Sequence, residues 1–270
     1  MEMIMSLSGK TIVITRPADE ASEFINLLKS KGAQIIPLRA IEVASNSETI
    51  ASEFLSLMKS FDPEFSAFLS SKSVKTLFES AKIESIYDEM LSVVKNTTVV
   101  AVGPRTKEML NSIGVRVAHV PQNYSSIGIG ELFTTLSAVG KKIIMPRSSA
   151  SRSFLKDLLE KIGLDVLEIK TYKVCTTTDM SGWDDFAKKF FDANIDCIAF
   201  TSASSVNAFF EILESKGFSR DKICREILNL KIFTIGSQAD KEFKNMQIKT
   251  CIANVHTIKG LADMISKDLE

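Results

Sequence analysis

Residues 9–43 and 140–174 align without a gap at a constant offset of 131. Gly9 pairs with Gly140, Lys10 with Lys141, Ile12 with Ile143, Arg16 with Arg147 and Ser22 with Ser153. Leu28, Gly32 and Val43 fall on Leu159, Gly163 and Val174. Each stretch reads as a short apolar strand, a polar turn, an amphipathic helix, a glycine stop and a second strand. Apolar matches arise easily in such a composition, but matched glycines and arginines do not. The chain is therefore read as two copies of one α/β unit. Its 270 residues are long enough to hold both.

In chain order, residues 11–14 form a β-branched run of the kind buried on both faces of a parallel sheet. Thr15-Arg16-Pro17 ends it, and Pro17 suits the first turn of a helix. That helix carries Phe24, Leu27 and Leu28 on one stripe and stops at Gly32. Ile35 and Ile36 begin a strand expected to run through Pro37 to Val43, where the proline argues for a connector over a central strand. A helix over 45–61 should bury Ile50, Phe54, Leu57 and Met58. A strand at 65–69 then leads into a helix bearing Val74, Leu77 and Phe78, and 83–94 reads as helical. Residues 98–102 form a strand, 105–113 a helix and 115–120 another strand. Tyr124-Ser125-Ser126 leads into a helix around Leu132 and Phe133.

In the second copy a strand at 197–200 precedes a turn at 201–205. Val206 and Phe210 match Val74 and Phe78 at an offset of 132. Ile232-Phe233-Thr234-Ile235-Gly236 answers residues 98–103, and His256-Thr257 opens a last helix with Ile258, Leu261 and Ile265 inward. Strands alternating with helices, twice over, predict a pair of open parallel sheets.

Composition narrows the function. Lys+Arg and Asp+Glu are both 33, with no basic block, which argues against nucleic acid or an anionic membrane as the main partner. No apolar run of bilayer-spanning length occurs, and the first ten residues lack the pattern of a signal peptide, so a cytoplasmic location is expected. Cys175, Cys197, Cys224 and Cys251 are widely spaced and form no CxxC, and His119 and His256 are the only histidines. Reduced thiols and no metal site are the expectation.

In open α/β sheets ligands gather beyond the carboxyl ends of the strands. The residues expected there are Thr15, Arg16, Ser70, Ser71, Lys72, Gly103, Arg105, Arg147, Ser148, Ser149, Thr201, Ser202, Ser204, Gly236 and Ser237. Hydroxyls, small residues and helix N-termini with free N–H groups are a way of holding anions. Singly, each serine or threonine is an ordinary helix cap; together, on two copies, they predict an anion-binding rim. Neither GxGxxG nor GxxxxGK[ST] is present, so no dinucleotide or Walker-type phosphate site is expected.

The run of motifs resembles the uroporphyrinogen-III synthase family. These are Thr15-Arg16-Pro17 after the first strand, FLSSKSV and FTSASSV after the middle strands, and VAVGPRT and FTIGSQA before helices. Leu167-Glu168-Ile169-Lys170-Thr171-Tyr172-Lys173 follows at mid-chain. The resemblance covers essentially the whole chain in order, and departs from the family after Gly236, where this chain reads Ser-Gln-Ala-Asp. It implies two flavodoxin-like α/β domains, one of them discontinuous, joined by a two-stranded antiparallel connector. Placed here, residues 1–36 with 177–270 form the discontinuous domain, 44–167 the inserted one, and 37–43 and 168–176 the connectors.

The resemblance further implies cyclisation of hydroxymethylbilane, a linear octacarboxylate tetrapyrrole, to uroporphyrinogen III. The last ring is inverted and water is lost, with no cofactor and a monomeric enzyme expected. Tyr172 corresponds to the family tyrosine considered the candidate acid for the leaving hydroxyl; the residue reading alone makes it a tyrosine packed on a connector strand. A ligand-sensing module of the same fold, binding a tetrapyrrole or other polyanion without turnover, is the second reading.

Overall fold

The computed structural model describes residues 6–16 and 21–269. Pro17, expected in a helical first turn, lies outside them. The chain forms two compact units, Met1–Glu42 with Cys175–Glu270 (unit 1) and Val43–Val174 (unit 2).

Chain order begins in unit 1 with β1 (Thr11–Ile14), α1 (Ser22–Lys29) and β2 (Gln34–Pro37). Strand β3 (Ile41–Ser45) carries the chain into unit 2. There follow α2 (Ile50–Phe61), β4 (Phe65–Phe68), α3 (Ser71–Ile83), α4 (Tyr87–Lys95), β5 (Thr98–Ala101), α5 (Pro104–Ser112) and α6 (Ser126–Thr135). Next come β6 (Lys142–Ser148), α7 (Phe154–Ile162) and the long β7 (Asp165–Thr176), which returns the chain to unit 1. There it continues through α8 (Trp183–Phe191), β8 (Cys197–Phe200), α9 (Ala203–Ser215) and α10 (Arg220–Ile227). Strand β9 (Lys231–Thr234), α11 (Ser237–Asn245), β10 (Cys251–Ile252) and α12 (Ile258–Leu269) complete it.

Both units are open α/β sheets. Unit 1 has the order β10-β9-β8-β1-β2, and its recorded pairings are parallel. The second sheet has the order β3-β7-β6-β4-β5, with β4–β5, β4–β6 and β6–β7 parallel. Strands β3 and β7 run beside each other. The Thr177 amide donates to the Ala40 carbonyl and the Asn46 amide to that of Thr171, so one strand advances as the other retreats and this pair is antiparallel.

Local differences from the sequence reading have physical causes. The run from Ile35 to Val43 is broken: β2 ends at Pro37 and β3 starts at Ile41, with Leu38 and Ala40 buried between them. Pro37 closes an edge strand, where its missing N–H costs no ladder bond. Ser45 ends β3, so α2 begins only at Ile50, and Ile83 ends α3 while α4 begins at Tyr87. The strand expected at 115–120 reduces to a single parallel bridge between Val100 and His119. Its counterpart β10 has only two residues, so the outermost position of this plan is short in both copies. Helix α8 was not foreseen.

The cores differ in chemistry. Unit 1 packs Trp183, Phe186, Phe190, Phe200, Phe209, Phe210 and Phe243 into one aromatic cluster. Phe209 meets the rings of Trp183, Phe186, Phe190, Phe200 and Phe210 at centroid distances of 5.4–6.0 Å, mostly edge-on. The equivalent face of unit 2 is largely aliphatic, built from Ile50, Phe54, Met58, Val74, Leu77, Phe78, Met90 and Val94.

Candidate functional site

At the carboxyl ends of β4 and β6 in unit 2 lies a pocket of about 250 Å³. Its lining includes Ser70, Ser73, Tyr124, Ser125, Arg147 and Tyr172. Two helices open at it. Ser70 caps α3, its hydroxyl accepting from the Ser73 amide at 3.1 Å, and Ser125 caps α6, accepting from the Gly128 amide at 3.2 Å. Such caps satisfy one amide each and leave other first-turn N–H groups for a ligand. Gly128 is needed for the turn: a Cβ there would lie 2.0 Å from the Asn123 carbonyl oxygen. The tyrosine that follows Asn123 lies over Gly103, whose Cβ would come within 3.3 Å of the Tyr124 ring.

Tyr172 reaches this pocket through an irregularity in β7. Arg147 of β6 sits opposite Lys170, but Ser148 sits opposite Tyr172, which leaves Thr171 as an extra residue. A bulge of this kind re-aims the side chain after it. Thr171 is fully buried, and its hydroxyl donates to the Arg147 carbonyl at 3.3 Å. The Ser149 amide donates to the Tyr172 carbonyl at 2.8 Å, and Asn46 Nδ2 donates to the Lys170 carbonyl at 2.6 Å. Held from both sides, Tyr172 is 7% exposed and its phenol lies 3.1 Å from Ser70 Oγ.

Arg147 supplies the charge. It is 9% exposed and pairs through Nη1 with Glu168, which Lys170 Nζ also meets at 3.2 Å. The triad carries one net positive charge. Arg147 Nε is buried and has no hydrogen-bond partner among the described residues. A guanidinium bonded at only part of its donor fork is an under-satisfied buried cation.

The expected site residues divide between the units. Ser70, Arg147, Ser148 and Tyr172 come together in the pocket lining. Ser71 starts α3, Lys72 and Arg105 are exposed in the first turns of α3 and α5, and Gly103 caps α5; none of these four lines the pocket. In unit 1, Thr15 is buried, and its single hydroxyl proton is shared between the Ala199 carbonyl and Ser205 Oγ, both at 3.2 Å. Arg16 follows it, half-buried. Ser202 caps α9, Ser204 is exposed in its first turn, Gly236 caps α11 and Ser237 begins that helix. The polar or aromatic lining residues not anticipated are Ser73, Tyr124, Ser125, Ser126 and Ser151, beside the apolar Leu69 and Val102. A signal for two of them was available: Tyr124-Ser125-x-x-Gly128 recurs as His256-Thr257-x-x-Gly260, and Thr257 Oγ1 accepts from the Gly260 amide at 3.0 Å as Ser125 does from Gly128.

Among the described residues no group of histidine, cysteine and carboxylate side chains is placed to hold a metal ion. Burial pushes the Cys197 thiol far above its usual range, with Asp196 adding to the effect, so it is no nucleophile. No described helix is long and apolar enough to cross a membrane.

Fold and site together define a duplicated two-domain α/β protein whose strand ends carry hydroxyls and helix N-termini, with a buried arginine among them in unit 2. The family model described as uroporphyrinogen-III synthase HemD matches residues 22–263, and the chain belongs to that family. A chain from Methanothermobacter thermautotrophicus is 25% identical over 251 residues, 93% of this chain and 95% of that one. The uroporphyrinogen-III synthase of Chlorobaculum parvum is 24% identical over 243 residues, covering 90% and 92% of the two chains. Among solved structures, uroporphyrinogen-III synthetase from Helicobacter pylori superposes with a TM-score of 0.60 at 16% identity, covering 97% of this chain and all of that one. A synthase from Thermus thermophilus gives 0.56 at 16% identity over 96% and 98%. These two establish likeness of fold.

Proposed function

We propose that this chain is a uroporphyrinogen-III synthase, closing hydroxymethylbilane with inversion of its last ring and loss of water. Family membership supports the reaction class. The observation that carries the site assignment is the buried Tyr172 phenol beside Ser70 in a pocket that also holds an under-satisfied arginine. The linear substrate carries carboxylates along its whole length, and first-turn amides and Arg147 are their binding groups in unit 2. Helix N-termini contribute about 0.3–1 kcal/mol each to an anion at the surface, so affinity does not require a net positive chain.

Tyr172 is the general acid. Its O–H proton passes to the hydroxymethyl oxygen as the C–O bond breaks, and the bonding pair leaves with the oxygen as water. The electron-deficient carbon is captured by the last ring's substituted carbon. The bond from that carbon to its bridging methylene breaks and re-forms at the ring's free carbon, so that the ring is inverted. The proton lost from that second carbon restores the phenol. The rest of the catalysis is positioning: the bilane must be held folded so that the inverted closure outpaces direct cyclisation. Thr15, Arg16, Ser202, Ser204, Gly236 and Ser237 of unit 1, with Ser71, Lys72, Gly103, Arg105 and Ser148, are the remaining substrate-binding residues of this reading. On this reading the protein is a cytoplasmic monomer without a nucleic-acid partner; the zero formal charge and lack of a basic block support the last of these. Incubation with enzymatically generated hydroxymethylbilane should give the inverted isomer; the non-inverted isomer at the spontaneous rate would leave the non-catalytic sensing module.

A further inference from the structure

The phenol of Tyr172 ends a chain of hydroxyls whose direction can be worked out. Ser73 Oγ donates to the Pro146 carbonyl at 3.1 Å, since a carbonyl can only accept. Its single proton being used, Ser73 must accept from Ser70 Oγ, 3.0 Å away. Ser70 has then spent its own proton and already accepts from the Ser73 amide. The 3.1 Å contact between Ser70 and Tyr172 is therefore donated by the phenol. The chain runs Tyr172 to Ser70 to Ser73 to Pro146, and every proton points toward the protein.

Unit 1 shows that this arrangement is not a requirement of the fold. Ser205 stands where Ser73 stands, but its hydroxyl donates to the Ser202 carbonyl at 2.8 Å. Thr15, at the place of Pro146, meets Ser205 through its side-chain hydroxyl, whose proton Ser205 Oγ shares with the Ala199 carbonyl. Ile41 occupies the place of Tyr172, so no acid hangs on that chain.

We infer that Ser73 is a positioning residue that fixes the sense of the Tyr172–Ser70 hydrogen bond and so governs the delivery of the phenol's proton. The inference rests on the reading of Tyr172 as the acid. In the resting enzyme Tyr172 gives its proton to Ser70. To hand it to a departing hydroxyl it must leave that bond, and the phenolate left behind needs a donor. Ser70 can supply one only by turning its proton from Ser73 to Tyr172. Ser73 is the competing acceptor that holds it back. Nothing in this scheme requires Ser73 to touch substrate; it acts on the reaction through Ser70.

The test is Ser73→Ala beside Ser73→Thr, Tyr172→Phe and the double variant Ser73→Ala/Tyr172→Phe in the full chain. Ultraviolet resonance Raman spectra, taken as differences against Tyr172→Phe, report whether the phenol of Tyr172 donates or accepts. Wild type should show the donor signature, Ser73→Ala should move it toward the acceptor signature, and Ser73→Thr, which keeps the hydroxyl, should restore it. With one competing neutral hydrogen bond removed, kcat of Ser73→Ala should rise about two- to tenfold with KM unchanged. The double variant should match Tyr172→Phe, because the effect passes through the phenol. An unaltered donor signature in Ser73→Ala, or a kcat that does not rise while Tyr172→Phe is impaired, would overturn the inference. Full kcat in Tyr172→Phe would instead remove the acid on which it rests, so the two failures are told apart.

Discussion

Where unit 2 carries Tyr172, Arg147, Tyr124 and Ser73, unit 1 carries Ile41, Arg16, His256 and Ser205. The backbone devices around them are held in common. Gly103 and Gly236 cap α5 and α11 and lie against the rings of Tyr124 and His256; Gly128 and Gly260 sit under the carbonyls of Asn123 and Val255. What changed between the copies is side-chain chemistry. Unit 2 has a phenol, a bulge that aims it and a buried arginine–glutamate pair at its strand ends, over a largely aliphatic core. In unit 1 the place of the phenol is apolar, and its core is knitted from aromatic rings. The two strand edges share one backbone plan, and only that of unit 2 carries a phenol.

The comparison can be broken at its core first. Phe209→Ala should cost about 3–5 kcal/mol, read as a shift of the urea midpoint, because it removes the ring through which the unit 1 cluster is connected. Leu77→Ala in unit 2 should cost less, near the lower end of about 2–5 kcal/mol. Equal losses would mean that the aromatic network adds nothing beyond buried area.

Next is the arginine. Arg147→Ala leaves Glu168 buried at 12% side-chain exposure with only Lys170 for company. A stability loss of about 3 kcal/mol, the low end for a broken buried pair, should accompany a raised KM. Glu168→Gln should recover much of the stability of the Arg147→Ala background, since it removes the stranded charge. No recovery would show that packing, not charge, is what Arg147 contributes.

Gly128→Ala and Gly260→Ala test the shared turns. Their Cβ atoms would lie 2.0 and 2.2 Å from carbonyl oxygens, so each should destabilise by about 1–3 kcal/mol. Only Gly128→Ala should also disturb kcat, because it moves Tyr124 and Ser125 beside Tyr172.

The smallest effect belongs to Asp240 of α11. Burial opposes its charge, but the Lys244 ammonium at 2.7 Å and the Thr250 hydroxyl at 2.6 Å hold the carboxyl below its ordinary range. A depressed folded-state value stabilises above the unfolded pKa and is lost as pH falls through the folded one. Wild type should therefore exceed Asp240→Asn by no more than about 1 kcal/mol at neutral pH. The gap should close as pH drops below 3.8, the ordinary carboxyl value. A gap that widens in acid would contradict the pairing.

Much of this plan was visible in the chain itself, because a repeat with matched glycines and arginines dictates two similar units and places each strand end. Ser70, Arg147, Ser148 and Tyr172 follow from that placement with the family resemblance. Ser73 and Thr171 do not. Their roles depend on a carbonyl contributed by a distant strand and on an extra residue in a ladder, and a sequence shows neither. The expected strand at 115–120 forms only one bridge; Val115 alone of that run is buried, with Arg116 and Ala118 exposed, so little holds it against the sheet. Tyr124 could have been found from the match with His256, since both precede a capping hydroxyl and a glycine at the same spacing.

The claim at the centre of this account is that the phenol of Tyr172 delivers a proton. Steady-state turnover of hydroxymethylbilane by Tyr172→Phe, with isomer analysis of the product, tests it most directly. The ring is retained, so packing is unchanged. The account predicts that kcat and kcat/KM fall together by about 10²-fold, the low end for general acid catalysis, with KM little altered and the residual product still the inverted isomer. Wild-type kcat would contradict it and leave Tyr172 as a side chain that packs the end of β7.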